Sequence, residues 1–88
     1  MGMVNRVFAA DELIPQAKAY IQNLADHCAP GSMKVMKQQV YRHLNMSLGE
    51  SMRETTTLMD ASLVHEDFNE GVKSYLEKRP PNFSKIEF

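Results

Sequence analysis

The sequence predicts an all-α chain of about four amphipathic helices preceded by a short strand-like segment. Three observations lead there. Apolar residues recur every three or four positions through four separate segments, Gly and Pro fall between those segments, and 88 residues with 43% apolar content provide for one unit at most. The expected organisation is a strand or linker over residues 1–10, a helical region over 11–79 and an extended tail over 80–88.

Met3, Val4, Val7 and Phe8 around Asn5 and Arg6 read as an isolated strand with no partner strand elsewhere in the chain. From Asp11 onward Leu13, Ala17, Ile21, Leu24, Ala25 and Cys28 fall on one helical stripe, with Gln16, Lys18, Gln22 and Asp26 opposite. Pro15 belongs in a first turn, so regular helix is expected from near Ile14, with Asp11, Glu12 and Leu13 as the entry. Ala29, Pro30 and Gly31 end this helix, and Ser32 is the expected cap of a second that buries Met33, Met36, Val40 and Leu44.

A third helix is predicted from Ser47, because Ser47-Leu48-Gly49-Glu50 fits the reciprocal capping box. Its expected buried stripe is Leu48, Met52, Thr55, Leu58 or Met59, and Leu63. The fourth follows Val64 and His65, opens with Glu66 and Asp67, buries Phe68, Val72, Tyr75 and Leu76, and closes at Lys78 and Arg79 before Pro80 and Pro81. Gly71 within it costs about 1 kcal/mol relative to Ala, which points to a close neighbour at that position. In the tail, Phe83, Ile86 and Phe88 need a cover.

Ten Lys and Arg against eleven Asp and Glu give a formal net charge of -1, and no cluster of four cations compensates locally, so no nucleic-acid partner is expected. The apolar stretches are far shorter than the ~20 residues of a membrane-spanning helix, so no membrane partner is expected. Cys28 has no second cysteine to pair with, and the N-terminus lacks a cationic start followed by a long apolar run. A reducing compartment follows, the cytoplasm or an organelle matrix.

No catalytic constellation is visible. His27, His43 and His65 are not spaced with Cys or carboxylate as in a metal motif, so no metal site is expected. Glu50 and Glu54 stand four apart on the third helix but read as solvated carboxylates near a helix start. The serines lie in no nucleophile elbow, and there is no Gly-rich phosphate loop. Lys34, Lys37 and Arg42 read as a solvated basic edge, and Lys78 and Arg79 as cations suited to a helix end. Seven methionines give an adaptable apolar surface.

The order of these features carries a resemblance. Gly2-Met3-Val4-Asn5-Arg6-Val7, Ala10-Asp11-Glu12-Leu13 with Pro15, and Pro30 followed by Lys37 come first. Glu66-Asp67-Phe68-Asn69-Glu70-Gly71 then runs through Leu76-Glu77-Lys78-Arg79-Pro80 to Phe83, and this last block is the most specific. Together they resemble the C-terminal part of the crotonase superfamily, the enoyl-CoA hydratases and isomerases, over nearly the whole chain. The resemblance implies the helical C-terminal portion of a crotonase-like fold, beginning at the last strand of a core domain that is its natural partner. It implies that catalytic acids and oxyanion hole lie in that core, that this chain serves oligomer packing and active-site closure, and that alone it is inactive. A homo-oligomer follows, as does acyl-CoA as a possible ligand, with a coenzyme A thioester as the family's substrate and no other cofactor. Lys78 matches a family lysine near coenzyme A. Met59 matches a position where hydratases often carry an aromatic residue against the nucleotide of a neighbouring subunit, and departs from it. Thr55 stands where relatives often carry Glu, and His65 where they often carry Ser or Thr. The alternative reading is a free-standing helical module that binds a protein through its Met-rich face, without enzymatic activity.

Overall fold

The computed structural model describes residues 1–86, which form four helices: α1 Leu13–His27, α2 Pro30–His43, α3 Leu48–Leu63 and α4 Glu66–Leu76. Each begins where local chemistry allows. Pro15 sits in the first turn of α1, where its missing N–H costs nothing, and the first regular bond runs from the Gln16 N–H to the Glu12 carbonyl at 3.0 Å. α3 opens with the expected capping box: Ser47 Oγ accepts from the Glu50 N–H at 3.2 Å and the Glu50 carboxylate accepts from the Ser47 N–H at 3.4 Å. α4 uses His65 as its cap, Nδ1 accepting from the Asp67 N–H at 3.1 Å in the role Ser or Thr usually fills.

Two expectations are corrected. Ser32 does not cap α2; the helix starts at Pro30 after an extended Ala29, and Ser32 lies inside the first turn. Proline's fixed φ and lack of an N–H suit the first helical position, so the helix begins two residues before the serine. No strand forms over Met3–Phe8 or elsewhere among the described residues. A lone extended segment has nothing to receive its N–H and C=O groups, and this one is irregular, touching α1 where the Arg6 guanidinium lies 5.9 Å from the Tyr20 ring centroid.

α2 packs on α3 and α3 on α4. The stripes that face neighbours differ from those expected. On α2 the half-buried residues include Gly31, Val35, Gln39, His43 and, of the expected stripe, Met33, whereas Met36, Val40 and Leu44 are exposed. On α3 they are Ser51, Glu54 and Leu58, with Leu48, Met52, Met59 and Leu63 exposed. On α4 the buried residues are Asp67 and Ser74, while Phe68 and Val72 are 47% exposed and Tyr75 and Leu76 more so. Every residue of α1 is exposed.

The result is a layer of helices with no apolar residue buried among those described. Its radius of gyration is 16.4 Å, against about 12 Å for a compact chain of this length. Its accessible surface is 7823 Å², against about 5,200 Å² for a folded monomer of this mass.

The tail supplies one cover from within the chain. Residues beyond Pro80 turn back along α4, and the Phe83 ring lies 3.7 Å from where a Cβ on Gly71 would stand. That is ordinary contact, so Gly71 marks a close neighbour without being required by it. Gly71→Ala is expected to raise helix stability by about 0.5–1 kcal/mol, read as a higher midpoint in thermal unfolding followed by circular dichroism. Ile86 is half-buried, and Phe88 lies outside the described residues.

Candidate functional site

Three features have the geometry to act: an apolar groove, a second groove with a cationic rim, and the polar clasp at the end of α4. The first, about 740 Å³, opens between α2, α3 and α4. Val35, Leu58, Met59, Phe68, Val72 and Phe83 make it apolar, and Gln39 and Thr55 bridge α2 to α3 within it, Gln39 Nε2 donating to Thr55 Oγ1 at 3.3 Å. His65 and Asp67 stand at its margin, already engaged with each other through the α4 cap. Such a groove can hold an apolar body.

The second groove, about 750 Å³, runs between α2 and the tail, with Met33, Tyr41 and Ile86 beneath Lys34, Lys37 and Lys85. The basic edge expected from Lys34, Lys37 and Arg42 is thus divided. Arg42 turns to Glu54, Nη2 to Oε2 3.0 Å, so that of this edge Lys34 and Lys37 stay at the groove, joined there by Lys85 of the tail. His43 points at the same carboxylate, Nε2 lying 3.6 Å from Glu54 Oε1, buried and without a hydrogen-bond partner. Glu50 and Glu54 are therefore not a working pair: one caps α3, the other ties α3 to α2.

At the end of α4, Glu77 is followed by Lys78 in the left-handed region, φ +54°. The Lys78 N–H donates to the Tyr75 carbonyl at 3.2 Å and the Arg79 N–H to the Ser74 carbonyl at 3.1 Å, closing the helix as a Schellman motif without its usual glycine. This reverses the chain and brings Arg79 back onto α4. Its guanidinium grips Glu70 with two bonds, Nη2 to Oε1 at 2.6 Å and Nη1 to Oε2 at 3.1 Å, and Nε donates to Glu77 at 2.6 Å. The Asn82 N–H donates to Glu70 Oε2 at 3.2 Å. The Arg79 guanidinium, then the Asn82 amide, hold the Glu70 carboxyl below its ordinary value, and the carboxylates hold Arg79 further into its charged form.

The two residues matched to coenzyme A contacts are not brought to one groove. Met59 lines the apolar groove, and Lys78 sits at the helix end, outside both sets of lining residues. The Glu54 bridge and the Glu70 clasp were not visible as sites in the sequence. The one signal for the second was an arginine placed just before Pro80-Pro81, where the chain has to turn. Among the described residues no three His, Cys, Asp or Glu side chains converge as metal ligands, and no helix is long and apolar enough to cross a membrane.

Residues 1–86 match the family model described as enoyl-CoA hydratase/isomerase. A probable enoyl-CoA hydratase of Mycobacterium leprae is 31% identical over 83 residues, which cover 94% of this chain and 32% of that protein. A probable enoyl-CoA hydratase of Rhizobium meliloti is 32% identical over 82 residues, 93% of this chain and 32% of the relative. The chain thus spans about a third of the length of the curated relatives it matches. Among solved structures, a probable enoyl-CoA hydratase/isomerase from Mycobacterium abscessus superposes with a TM-score of 0.86 at 23% identity, covering 97% of this chain and 35% of that one. An enoyl-CoA hydratase structure from Geobacillus kaustophilus gives 0.75 at 32% identity, covering 97% and 32%. The four helices are accordingly a helical portion of the crotonase fold, and the chain belongs to the enoyl-CoA hydratase/isomerase family.

Proposed function

We propose that this chain is the C-terminal packing and closure element of an acyl-CoA protein of the hydratase/isomerase type, acting against a crotonase core and against copies of itself. The observation that carries this reading is that no apolar residue is buried among those described, although four helices form with their caps in place. Helices of this length are marginal alone, and the free energy that holds them comes from covering an apolar face. α1 is the clearest case: Leu13, Ile21 and Leu24 are exposed along one stripe of a helix that lies open on every side. Surface beyond that of a folded monomer, here roughly half as much again, is of the order that obligate interfaces remove.

In this reading residues 1–10 lead in from the core, 11–79 form the helical element and 80–88 its tail. Hydration or isomerisation of an enoyl thioester requires a positioned acid and base and stabilisation of an enolate oxygen. We assign these to the core, so the chain alone is inactive. Lys78 then offers its ammonium to the phosphates or adenine of coenzyme A, and Met59 an apolar contact to a neighbouring subunit's nucleotide. Native mass spectrometry of the chain with and without crotonyl-CoA tests this. An oligomer that leaves the thioester unconverted is expected. A monomer at every concentration would remove the packing role in favour of a free-standing interaction module, and turnover would remove the assignment of the chemistry to the core.

A further inference from the structure

The tail is held to α4 almost entirely through carboxylates. Glu70 takes the Asn82 N–H and the Arg79 guanidinium at the root of the turn. One turn earlier on the helix, Asp67 Oδ1 accepts the Ser84 N–H at 2.9 Å, and Glu66 accepts the Ser84 hydroxyl. Between these fastenings Phe83 leans on Gly71 and enters the lining of the apolar groove. Four donors from one short segment thus meet three acidic side chains within five residues of helix.

We propose that residues 80–86 are a releasable strap, clasped to α4 by Glu66, Asp67 and Glu70, which carries Phe83 into the groove between α2, α3 and α4 and uncovers that groove when the Glu70 carboxylate that holds its root is neutralised. Neutral carboxyls are weaker acceptors for N–H groups and lose their hold on the guanidinium. The charged groups around the clasp are Arg79 and Glu77 at the root of the strap and Lys73 on α4, and the titratable His65 stands beside it, its Nδ1 3.5 Å from Asp67 Oδ2; α2 meets Asp67 with the uncharged Gly31. Glu70 is held below its ordinary 4.5, so its contribution is intact above that pH and is lost as pH falls through its own lower value. The root of the strap at Glu70 therefore lets go on the acid side of the ordinary carboxylate range. The strap stands on the tail's own hydrogen bonds, and the coenzyme A reading could fail without affecting it.

The test uses the full chain in solution. The nuclear Overhauser effect between the Phe83 ring and the Gly71 α protons reports the strap, the relaxation of the methyls of the half-buried Leu58 by a neutral gadolinium chelate reports the groove, and circular dichroism reports the helices. Between pH 7 and pH 3 the Phe83–Gly71 effect is expected to fall at least severalfold and the Leu58 relaxation to rise, with helix content retained. Glu70→Gln is expected to produce the same weakening already at pH 7. Should that variant not fold, Ser84→Pro, which deletes both donors of Ser84, is expected to do so. Persistence of the Phe83–Gly71 effect at pH 3, its loss only in step with helix content, or its indifference to these substitutions would overturn the strap.

Discussion

Asp67→Ala is expected to destabilise the folded chain by about 2 kcal/mol, the cost typical of losing a hydrogen bond to a charged acceptor together with an acid in a helix's first turn. Asp67 is 8% exposed, the more notable because no apolar residue among those described is buried. Its carboxylate receives the Ser84 N–H at 2.9 Å and lies against Gly31 of α2, Oδ2 3.9 Å from where a Cβ would stand. It therefore joins α2, α4 and the tail at one point. Alanine leaves the Ser84 N–H without its acceptor in a half-buried setting. Asn keeps an acceptor but not the charge, so Asp67→Asn should recover roughly half of the loss. Thermal unfolding followed by circular dichroism at one fixed protein concentration measures all three chains, since any self-association makes the midpoint concentration-dependent. A midpoint for Asp67→Ala equal to that of the unchanged chain would mean that the tail does not contribute to stability.

The helices were legible because their starts are written in neighbouring residues. Ser47 and Glu50 are three apart, and their box needs nothing from the rest of the chain. Pro15 and Pro30 each mark a first turn by the absence of an N–H; the pair Ala29-Pro30 was the better signal for α2, and Ser32 the weaker. The facing stripes were misread for a physical reason. Apolar periodicity says which side of a helix seeks cover, whereas burial also requires something to provide it. Phe68 and Val72 do mark the apolar side of α4, yet both remain half exposed, while the buried residues are the polar Asp67, which takes the Ser84 N–H of the tail, and Ser74. Contacts such as Asp67 to Ser84, seventeen residues apart, follow from where the chain reverses at Lys78; Pro80-Pro81 signals that the helix must end there, but not which residues the returning tail will meet.

Lys78→Gly and Lys78→Ala separate the backbone role of this residue from the role of its charge. Lys78 holds φ at +54°, a conformation costing an L-residue roughly 1–2 kcal/mol and a glycine almost nothing. Glycine is the usual occupant of this position in the Schellman motif that Lys78 and Arg79 complete on Tyr75 and Ser74. Lys78→Gly is therefore expected to stabilise the chain by about 1 kcal/mol, after allowing for glycine's greater freedom when unfolded, while Lys78→Ala keeps the strain and gains nothing. Both remove the ammonium. If that ammonium meets coenzyme A phosphate, both should weaken coenzyme A binding by the chain in its assembled state to the same extent, several-fold at moderate salt. Calorimetric titration with coenzyme A, set beside the unfolding midpoints, reads the two effects independently. Equal affinity of all three chains for coenzyme A would remove Lys78 from the binding surface, and equal stability of the Gly and Ala chains would remove the backbone argument. A positive φ at a lysine, where glycine would cost less, is the observation that makes the side chain of Lys78 the one to test for ligand contact.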